Sequence, residues 1–281
     1  MLTNNVEVFS PVFGMTATNL PPPRHTGRIG RTLFGLYERI VMVLGLGLLG
    51  FLCLFWLPFA ELLYALLPDK WGRTVGRLAP FIGFRIYLFL LGRMSFHFDL
   101  SVLDSLRHEP PLILVANHPS LLDAVMIVSR LPNAVCIMKA GLMNNVLLGP
   151  GARLARYIRN DTGLMLIGQA QTELASGAHL ILFPEGSRTA NFPLDACGPA
   201  AGMLARSCNT PVQSVFIEFN YPYLGKAWPL LLKPTLPLLA RVRLGRRFQP
   251  QSDMSAFTVE LEKYFRTELN AASPFIPHEQ R

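Results

Sequence analysis

A histidine and an aspartate five positions apart follow a short apolar run and have the residue types of a proton-accepting pair. Residues 117–123 read NHPSLLD. The residue before a proline avoids helical backbone and proline suits the first helical position, so His118 is expected where a strand turns into a helix. Asp123 is then expected one turn inside that helix, where its carboxylate orients one imidazole nitrogen and makes the other a better base. Taken alone, the pair fits a capping histidine and a surface aspartate equally well.

A second polar segment, residues 183–189, reads FPEGSRT and also follows an apolar run. Gly186 allows the backbone to approach a ligand closely. The guanidinium of Arg188 is a planar fork of donors that suits phosphate. Glu185 is expected either to hold Arg188 or to accept a hydrogen bond from a substrate hydroxyl. Further contacts with a substrate are predicted for the two hydroxyl residues, Ser187 and Thr189. Taken alone, this segment is better explained as a polar turn after a strand.

Strand and helix patterns alternate after Phe98 and give both segments a place in a fold. Short apolar runs predict buried strands over residues 111–116, 134–138, 179–183, 212–219 and 242–248. Helical patterns cover residues 120–130, 169–176 and 202–207, and Asp253 is placed to cap a final amphipathic helix. This alternation predicts an α/β sandwich with a largely parallel central sheet flanked by helices. Open sheets of this kind build their sites at the carboxyl ends of strands.

The two segments together, about 65 residues apart, resemble the lysophospholipid acyltransferase family. This family contains the glycerol-3-phosphate and 1-acylglycerol-3-phosphate O-acyltransferases. The resemblance extends from Leu112 to Phe219. Tyr157-Ile158-Arg159 is similar to a third block of the family, Lys139 to a basic position between the blocks, and Pro211-Val212 to the start of a fourth block.

The resemblance implies an O-acyltransferase in which His118 is the general base and Asp123 orients it. Arg159 is implied to contact the phosphate or head group of the acceptor. The remaining acceptor-binding positions implied by the family are Lys139, Glu185, Gly186, Ser187, Arg188 and Thr189. Acyl-CoA or acyl carrier protein is the implied donor substrate, no cofactor is expected, and membrane lipids are the partners. A thiol with a pKa of about 8.5 leaves with little acid assistance. Direct attack by the acceptor hydroxyl also requires no serine acyl-enzyme.

Two departures from the family pattern lie on the acceptor side. Cys197-Gly198 stands where many members have a lysine before the glycine. The fourth block usually continues with a second proline, but here it reads Pro211-Val212-Gln213-Ser214-Val215. Both differences question lysophosphatidic acid as the acceptor and leave a lyso-ornithine lipid, or a specialised polyene or polyketide lipid, as alternatives. A non-catalytic lipid-binding protein of the same fold, and a transacylase or phospholipase, also remain open. The absence of a GxSxG nucleophile elbow argues against a hydrolase of that type.

Composition favours a lipid surface over nucleic acid as the partner. Of the 281 residues 51% are hydrophobic and 16% charged, and the net charge is +8. Basic charge on an apolar chain suits anionic lipid, whereas no zinc-finger spacing, RNP pattern or basic heptad region is present. The four cysteines are scattered without a CxxC pair, so free thiols are expected and no metal site is predicted. Oligomeric state is not indicated.

The N-terminal third is expected to attach the chain to a membrane. Residues 1–32 form a proline-rich basic segment, predicted to be a flexible tail. Residues 40–60 carry no charge and as a helix would be about 32 Å long, enough to cross a hydrocarbon core. A second apolar stretch, residues 78–91, contains Arg85 and is too short for a clear span. We therefore predict a membrane-embedded helical element over 33–93, a catalytic domain over 94–270 and a C-terminal tail over 271–281.

The positions of basic residues favour a hairpin, or helices lying in one leaflet, over a single crossing. Positive charge prefers the cytoplasmic side, and basic residues both precede and follow the first apolar segment. They are Arg24, Arg28, Arg31 and Arg39 before it, and Lys70, Arg73 and Arg77 in a basic hinge after it. The expected location is the inner membrane of the cell, with the catalytic domain on the cytoplasmic face.

Overall fold

The computed structural model describes residues 27–160, 163–229 and 232–271, and these residues form one seven-stranded sheet with helices on both faces. The strands are β1 (Phe96–Asp99), β2 (Ile113–Ala116), β3 (Ala134–Met138), β4 (Ile158–Arg159), β5 (His179–Leu182), β6 (Val212–Phe219) and β7 (Leu238–Phe248). Their order is β1-β7-β6-β2-β5-β3-β4, and every neighbouring pair is parallel except β6 and β7. The predicted α/β class with a largely parallel sheet is confirmed.

Eight α-helices and one 3₁₀ helix are present in the described part of the chain. They are α1 (Arg28–Leu66), α2 (Asp69–Gly92), the 3₁₀ helix (Ser101–His108), α3 (Asp123–Val128), α4 (Ala140–Met143), α5 (Gly149–Leu154), α6 (Leu164–Ala175), α7 (Ala200–Cys208) and α8 (Met254–Ala271). Asp253 caps α8 as predicted, because its Oδ1 accepts hydrogen bonds from the N–H groups of Ser255 and Ala256 at 2.9 and 3.0 Å.

Side chains of β2 alternate between two hydrophobic cores, as expected for a strand buried on both faces. Leu114 and Ala116 pack into a core shared with α1, α2, α3 and the 3₁₀ helix. Ile113 and Val115 point into the opposite core, which α6, α7 and α8 complete. The N-terminal helices therefore form one layer of the sandwich and contribute to the core of the catalytic part of the chain.

The helix α1 begins at Arg28, inside the segment predicted to be a tail. Apolar residues at helical spacing, Ile29, Leu33 and Phe34 among them, continue the pattern of the following turns and explain the earlier start. Residues 1–26 and 272–281, which include most of both predicted tails, lie outside the described residues. The second helix is also longer than predicted, with 24 residues from Asp69 to Gly92. By length and composition both helices can cross a membrane, with mean hydropathies of 2.6 and 1.4.

The prediction that Arg77 belongs to a basic hinge after α1 is wrong, because Arg77 lies within α2 and its side chain is buried. Its Nε donates to the carbonyl oxygen of Ala155 at 3.2 Å, its Nη1 to Asn133 Oδ1 at 2.7 Å, and its Nη2 to the carboxylate of Glu173. Beside it, a Cβ on Gly76 would lie 2.5 Å from backbone atoms of Leu154 and Ala155. The contact between α2 and the α5–β4 turn is thus close, charged and specific.

Candidate active site

His118 and Asp123 form a hydrogen-bonded pair at the carboxyl end of β2. The Nδ1 of His118 lies 2.7 Å from Asp123 Oδ2, and the Asp123 side chain is fully buried while that of His118 is 18% exposed. A carboxylate facing Nδ1 fixes the proton on that nitrogen, and this leaves Nε2 as the ring nitrogen that takes a proton. The pair therefore has the geometry of a general base held by an orienting carboxylate.

The turn that carries this pair differs from the predicted helix start. Residues 117–122 are not α-helical, and α3 begins at Asp123 rather than at Pro119. The reason is the carboxylate of Asp123, whose Oδ2 also accepts the N–H of Ser120 at 2.8 Å and so stabilises a tight turn. Ser120 is fully buried and its hydroxyl accepts the N–H of Leu122, which fits a structural residue better than a nucleophile.

The second motif is bonded directly to the first. The Oε1 of Glu185 accepts hydrogen bonds from His118 N–H and from the Thr189 hydroxyl, both at 2.9 Å, and its Oε2 accepts Asp195 N–H at 2.8 Å. The N–H of Thr189 donates to the His118 carbonyl at 2.8 Å. Glu185 therefore braces the histidine backbone and does not hold Arg188. Thr189 is buried and its hydroxyl is directed at Glu185, so the structure gives it an internal partner in place of the predicted substrate contact.

Two residues of these segments have roles that sequence reasoning missed. The ring of Phe183 stacks on the imidazole of His118, with centroids 4.0 Å apart and planes 18° apart, and so limits its rotation. Asn117 is buried and bridges to β6, donating from Nδ2 to the Ile217 carbonyl and accepting Ile217 N–H at Oδ1. Both lie next to motif residues in sequence, but their partners are set by tertiary packing.

Gly186 and Arg188 shape the far side of the site. Gly186 has a φ of +63°, in the left-handed region that favours glycine. A Cβ there would meet no atom within 4 Å, so the backbone conformation, and not a lack of space, explains the glycine. The Nη1 of Arg188 donates to the carbonyl oxygens of Leu224 and Gly225 at 2.8 and 2.9 Å. Arg188 thus fixes the turn after β6 through Nη1. Ser187 is half-buried beside it.

Lys139 and Arg159 lie at the same edge of the sheet as His118. Lys139 follows β3 directly, and Arg159 ends β4, opposite Met138 in the register. Because β2, β5, β3 and β4 are parallel neighbours, their carboxyl ends meet at one edge. The fold therefore brings the candidate base and three predicted cationic positions, Lys139, Arg159 and Arg188, to one side of the molecule.

Burial controls the charge of the two carboxylates. Burial raises the pKa of Asp123 to about 6, although its hydrogen bonds with His118 and Ser120 oppose the rise. Burial likewise raises the pKa of Glu185, against hydrogen bonds from Asp195, Thr189 and the backbone of His118. The hydrogen bonds around the two acids, and the imidazole beside Asp123, thus favour the ionised forms against the effect of burial.

We expect the rate to fall on acidification with an apparent pKa near 6, by about tenfold per pH unit below it, because protonated Asp123 no longer orients His118.

The raised pKa means that Asp123 contributes most to stability below pH 3.8 and loses that contribution as pH rises through about 6. Asp123→Asn should therefore lower kcat by about 100-fold or more while leaving the unfolding temperature at pH 7 unchanged or higher. Rate and thermal unfolding profiles between pH 5 and 8 check both; a rate unaffected by the substitution contradicts the assignment.

Metal chemistry has no cluster of ligands to support it in the part of the chain that the structure describes. No group of three or more His, Cys, Asp or Glu side chains there has a metal-binding arrangement. The site has one candidate base, an orienting acid and cationic side chains at the same edge of the sheet. This set can deprotonate a hydroxyl group and bind an anionic substrate.

Comparisons with known proteins agree with the fold and the motifs. Residues 97–218 match the family model described as Acyltransferase. The fold is similar to the crystal structure of the 1-acyl-sn-glycerophosphate (LPA) acyltransferase, PlsC, from Thermotoga maritima, with a TM-score of 0.60 and 17% identity. That match covers 84% of this chain and 97% of the other. No curated protein is significantly similar in sequence.

Proposed function

We propose that this chain, whose residues 97–218 match the acyltransferase family model, moves a fatty acyl group from a thioester to the hydroxyl of a lysophospholipid. The observation that carries the proposal is the 2.7 Å contact between His118 Nδ1 and a fully buried Asp123. Glu185 holds the same histidine by accepting a hydrogen bond from its backbone N–H. An arrangement of this kind activates a hydroxyl and needs no nucleophilic side chain.

The proposed reaction has one transfer and two proton movements. His118 Nε2 takes the proton of the acceptor hydroxyl as its oxygen attacks the thioester carbonyl. The new C–O bond forms, the C–S bond breaks, and the thiolate leaves. The imidazolium returns its proton to the thiolate, and the positive charge that it carries meanwhile is stabilised by the Asp123 carboxylate.

The acceptor side has three cationic side chains but lacks the lysine that many family members have at the position of Cys197. Lys139, Arg159 and Arg188 are the three cationic groups at the edge of the sheet where we propose that an acceptor phosphate sits. At the position of the missing lysine, burial and nearby carboxylates raise the pKa of the Cys197 thiol to about 12, so this side chain is neutral. We propose 1-acylglycerol-3-phosphate as the first acceptor to test, and a lysolipid with fewer phosphate charges, such as a lyso-ornithine lipid, as the second.

We propose that the hairpin of α1 and α2 lies in one leaflet on the cytoplasmic face of the inner membrane. Glu38 pairs with Lys233, and Glu61 pairs with Arg153, so α1 is tied to the rest of the chain at two points about 35 Å apart along its axis. A helix fixed at both points cannot cross a bilayer between them. Its other face exposes large apolar side chains, among them Val43, Leu44, Phe51, Leu54, Phe55, Phe59 and Leu62.

An acceptor panel tests the proposal, with purified protein, acyl-CoA or acyl carrier protein as donor, and thiol release as the signal. We expect thiol release to depend on a lysolipid. Arg159→Gln should raise KM for a phosphate-bearing acceptor by about 10- to 100-fold, with a smaller effect on kcat, because a charge-assisted contact contributes about 1.5–3 kcal/mol. Arg206→Gln on α7 is the matched control and should leave KM unchanged.

Three outcomes would count against the proposal. Thiol release without any acceptor in the panel indicates a thioesterase, and the absence of release with every donor and acceptor indicates a lipid-binding protein. Acyl exchange between lipids with no thioester present indicates a transacylase. An equal KM for Arg159→Gln and the unaltered protein removes Arg159 from the acceptor site.

A further inference from the structure

A cavity of about 390 Å³ lies where the tip of the helical hairpin meets α5 and α6. We call it the tip cavity; its wall is formed by side chains of the end of α1, the start of α2, the α5–β4 turn and α6, including Tyr64, Asp69, Arg73, Arg153, Arg156 and Glu173. Its lining includes Tyr157, two residues before Arg159, but neither Arg159 nor any residue of the two motifs around His118. The candidate base and the predicted acceptor-binding arginine therefore lie outside it.

Three guanidinium groups line the tip cavity, and their carboxylate partners hold them weakly. Arg153 pairs with Glu61 and Arg156 with Asp69, but the two acidic side chains are 46% and 70% exposed. Exposed ion pairs contribute at most about 1 kcal/mol. An incoming phosphate can replace them, because arginine binds phosphate through two parallel charge-assisted hydrogen bonds.

Arg73 is the third guanidinium of the tip cavity, and it shares its carboxylate partner. Its Nη1 is 3.8 Å from Glu173, which is already bonded to Arg77. The Arg73 side chain is 27% exposed, so an anion in the cavity can pair with a guanidinium that is only partly neutralised. Glu61, Asp69 and Glu173 provide three negative charges against the four arginines Arg73, Arg77, Arg153 and Arg156, so the site has an excess positive charge.

The surroundings of the cavity favour a lipid head group over a phosphate in solution. Tyr64 and Trp71, on either side of the hairpin tip, are 41% and 64% exposed, and Leu66 between them is exposed as well. Tyrosine and tryptophan of membrane proteins concentrate at the level of the lipid head groups. A hairpin lying in one leaflet would thus present the three arginines at the depth of the lipid phosphates.

We propose that the tip cavity binds the phosphate of an anionic phospholipid, as a site distinct from that of the acyl acceptor. The inference rests on the membrane location given in the proposed function, but not on the chemistry of His118. A lipid bound there contacts both the hairpin and the turn that precedes β4. Anionic lipid should therefore stabilise the packing of the hairpin against the catalytic part of the chain.

Thermal unfolding of the purified full chain in neutral detergent tests the proposal with three probes. They are dihexanoyl phosphatidylglycerol, dihexanoyl phosphatidylcholine and inorganic phosphate. Phosphatidylglycerol should raise the unfolding temperature of the unaltered protein by several degrees and phosphatidylcholine should not. In Arg153→Gln/Arg156→Gln the apparent Kd for phosphatidylglycerol should rise at least tenfold. Arg246→Gln, which removes an arginine from the exposed pair with Glu260, should behave as the unaltered protein.

Arg159→Gln separates this site from the acceptor site. It should retain the full shift with phosphatidylglycerol, whatever its effect on transfer, so failure of the proposed reaction leaves this result readable. If the double variant does not fold, the single variants Arg153→Gln and Arg156→Gln should each weaken binding at least threefold. The proposal is overturned by an unchanged shift in the arginine variants, by an equal shift with phosphatidylcholine or inorganic phosphate, or by loss of the shift in Arg159→Gln.

Discussion

The rate of acyl transfer should fall by about 1000-fold or more when His118 is replaced by alanine. General-base catalysis by a positioned side chain contributes about 10²- to 10⁴-fold, and no other imidazole belongs to the two motifs. The fold should survive, because His118 is bonded to its neighbours mainly through backbone groups that alanine retains. Its N–H donates to Glu185 and its carbonyl accepts from Thr189. Initial rates of thiol release with acceptor, together with thermal unfolding, measure both effects.

His108→Ala is the matched control for this substitution. His108 is exposed at the end of the 3₁₀ helix, so its loss should change neither rate nor stability. A folded His118→Ala protein that kept a tenth or more of the normal rate would show that another group removes the proton. A loss of rate that follows a loss of fold would be visible as a lower unfolding temperature.

The largest effect on stability is expected for Arg77→Met, which should lower the free energy of unfolding by about 3–5 kcal/mol. The substitution leaves the buried Glu173 carboxylate without its main counter-charge and removes donors from Ala155 O and Asn133 Oδ1. Arg73 lies too far from Glu173, at 3.8 Å, to replace all of this interaction. Denaturant-induced unfolding in detergent measures the change.

A second substitution distinguishes a lost charge pair from a lost packing contact. In Arg77→Met/Glu173→Leu no charge remains buried, so most of the stability should return, as is usual when a buried pair is replaced by apolar residues. Arg266→Met is a control in the more exposed pair with Glu262 on α8 and should cost about 1 kcal/mol or less. A loss below 1 kcal/mol for Arg77→Met, or a double variant less stable than the single one, contradicts the assigned role of Arg77.

Elements with strong local patterns were predictable from the sequence. The apolar run of β6 was predicted with its observed bounds, Val212–Phe219, because five of its eight residues are valine, isoleucine or phenylalanine, which favour a buried strand. By contrast, β4 has only two residues and was missed, since two residues show no periodicity. The same limit explains β1, whose four residues pair with β7, far along the chain.

The candidate site was predictable as a set of positions, but the partners of its side chains were not. The strand ends placed His118 and Glu185 near each other, whereas the bond from His118 N–H to Glu185 depends on the exact stagger of β2 and β5. The start of α3 was misplaced because the Asp123 carboxylate competes for Ser120 N–H. Arg77 was assigned to a basic hinge because nothing in the local sequence shows that this cation has a buried acid, Glu173, far along the chain.

Direct transfer from thioester to lipid hydroxyl is tested most directly by following product, thiol and protein mass in one sample during a single turnover. We predict one acylated lipid for each thiol released and an unchanged intact mass of the protein at every time, because the oxygen activated by His118 belongs to the acceptor. Release of free fatty acid in place of lipid ester, or a protein heavier by one acyl group, would contradict this account.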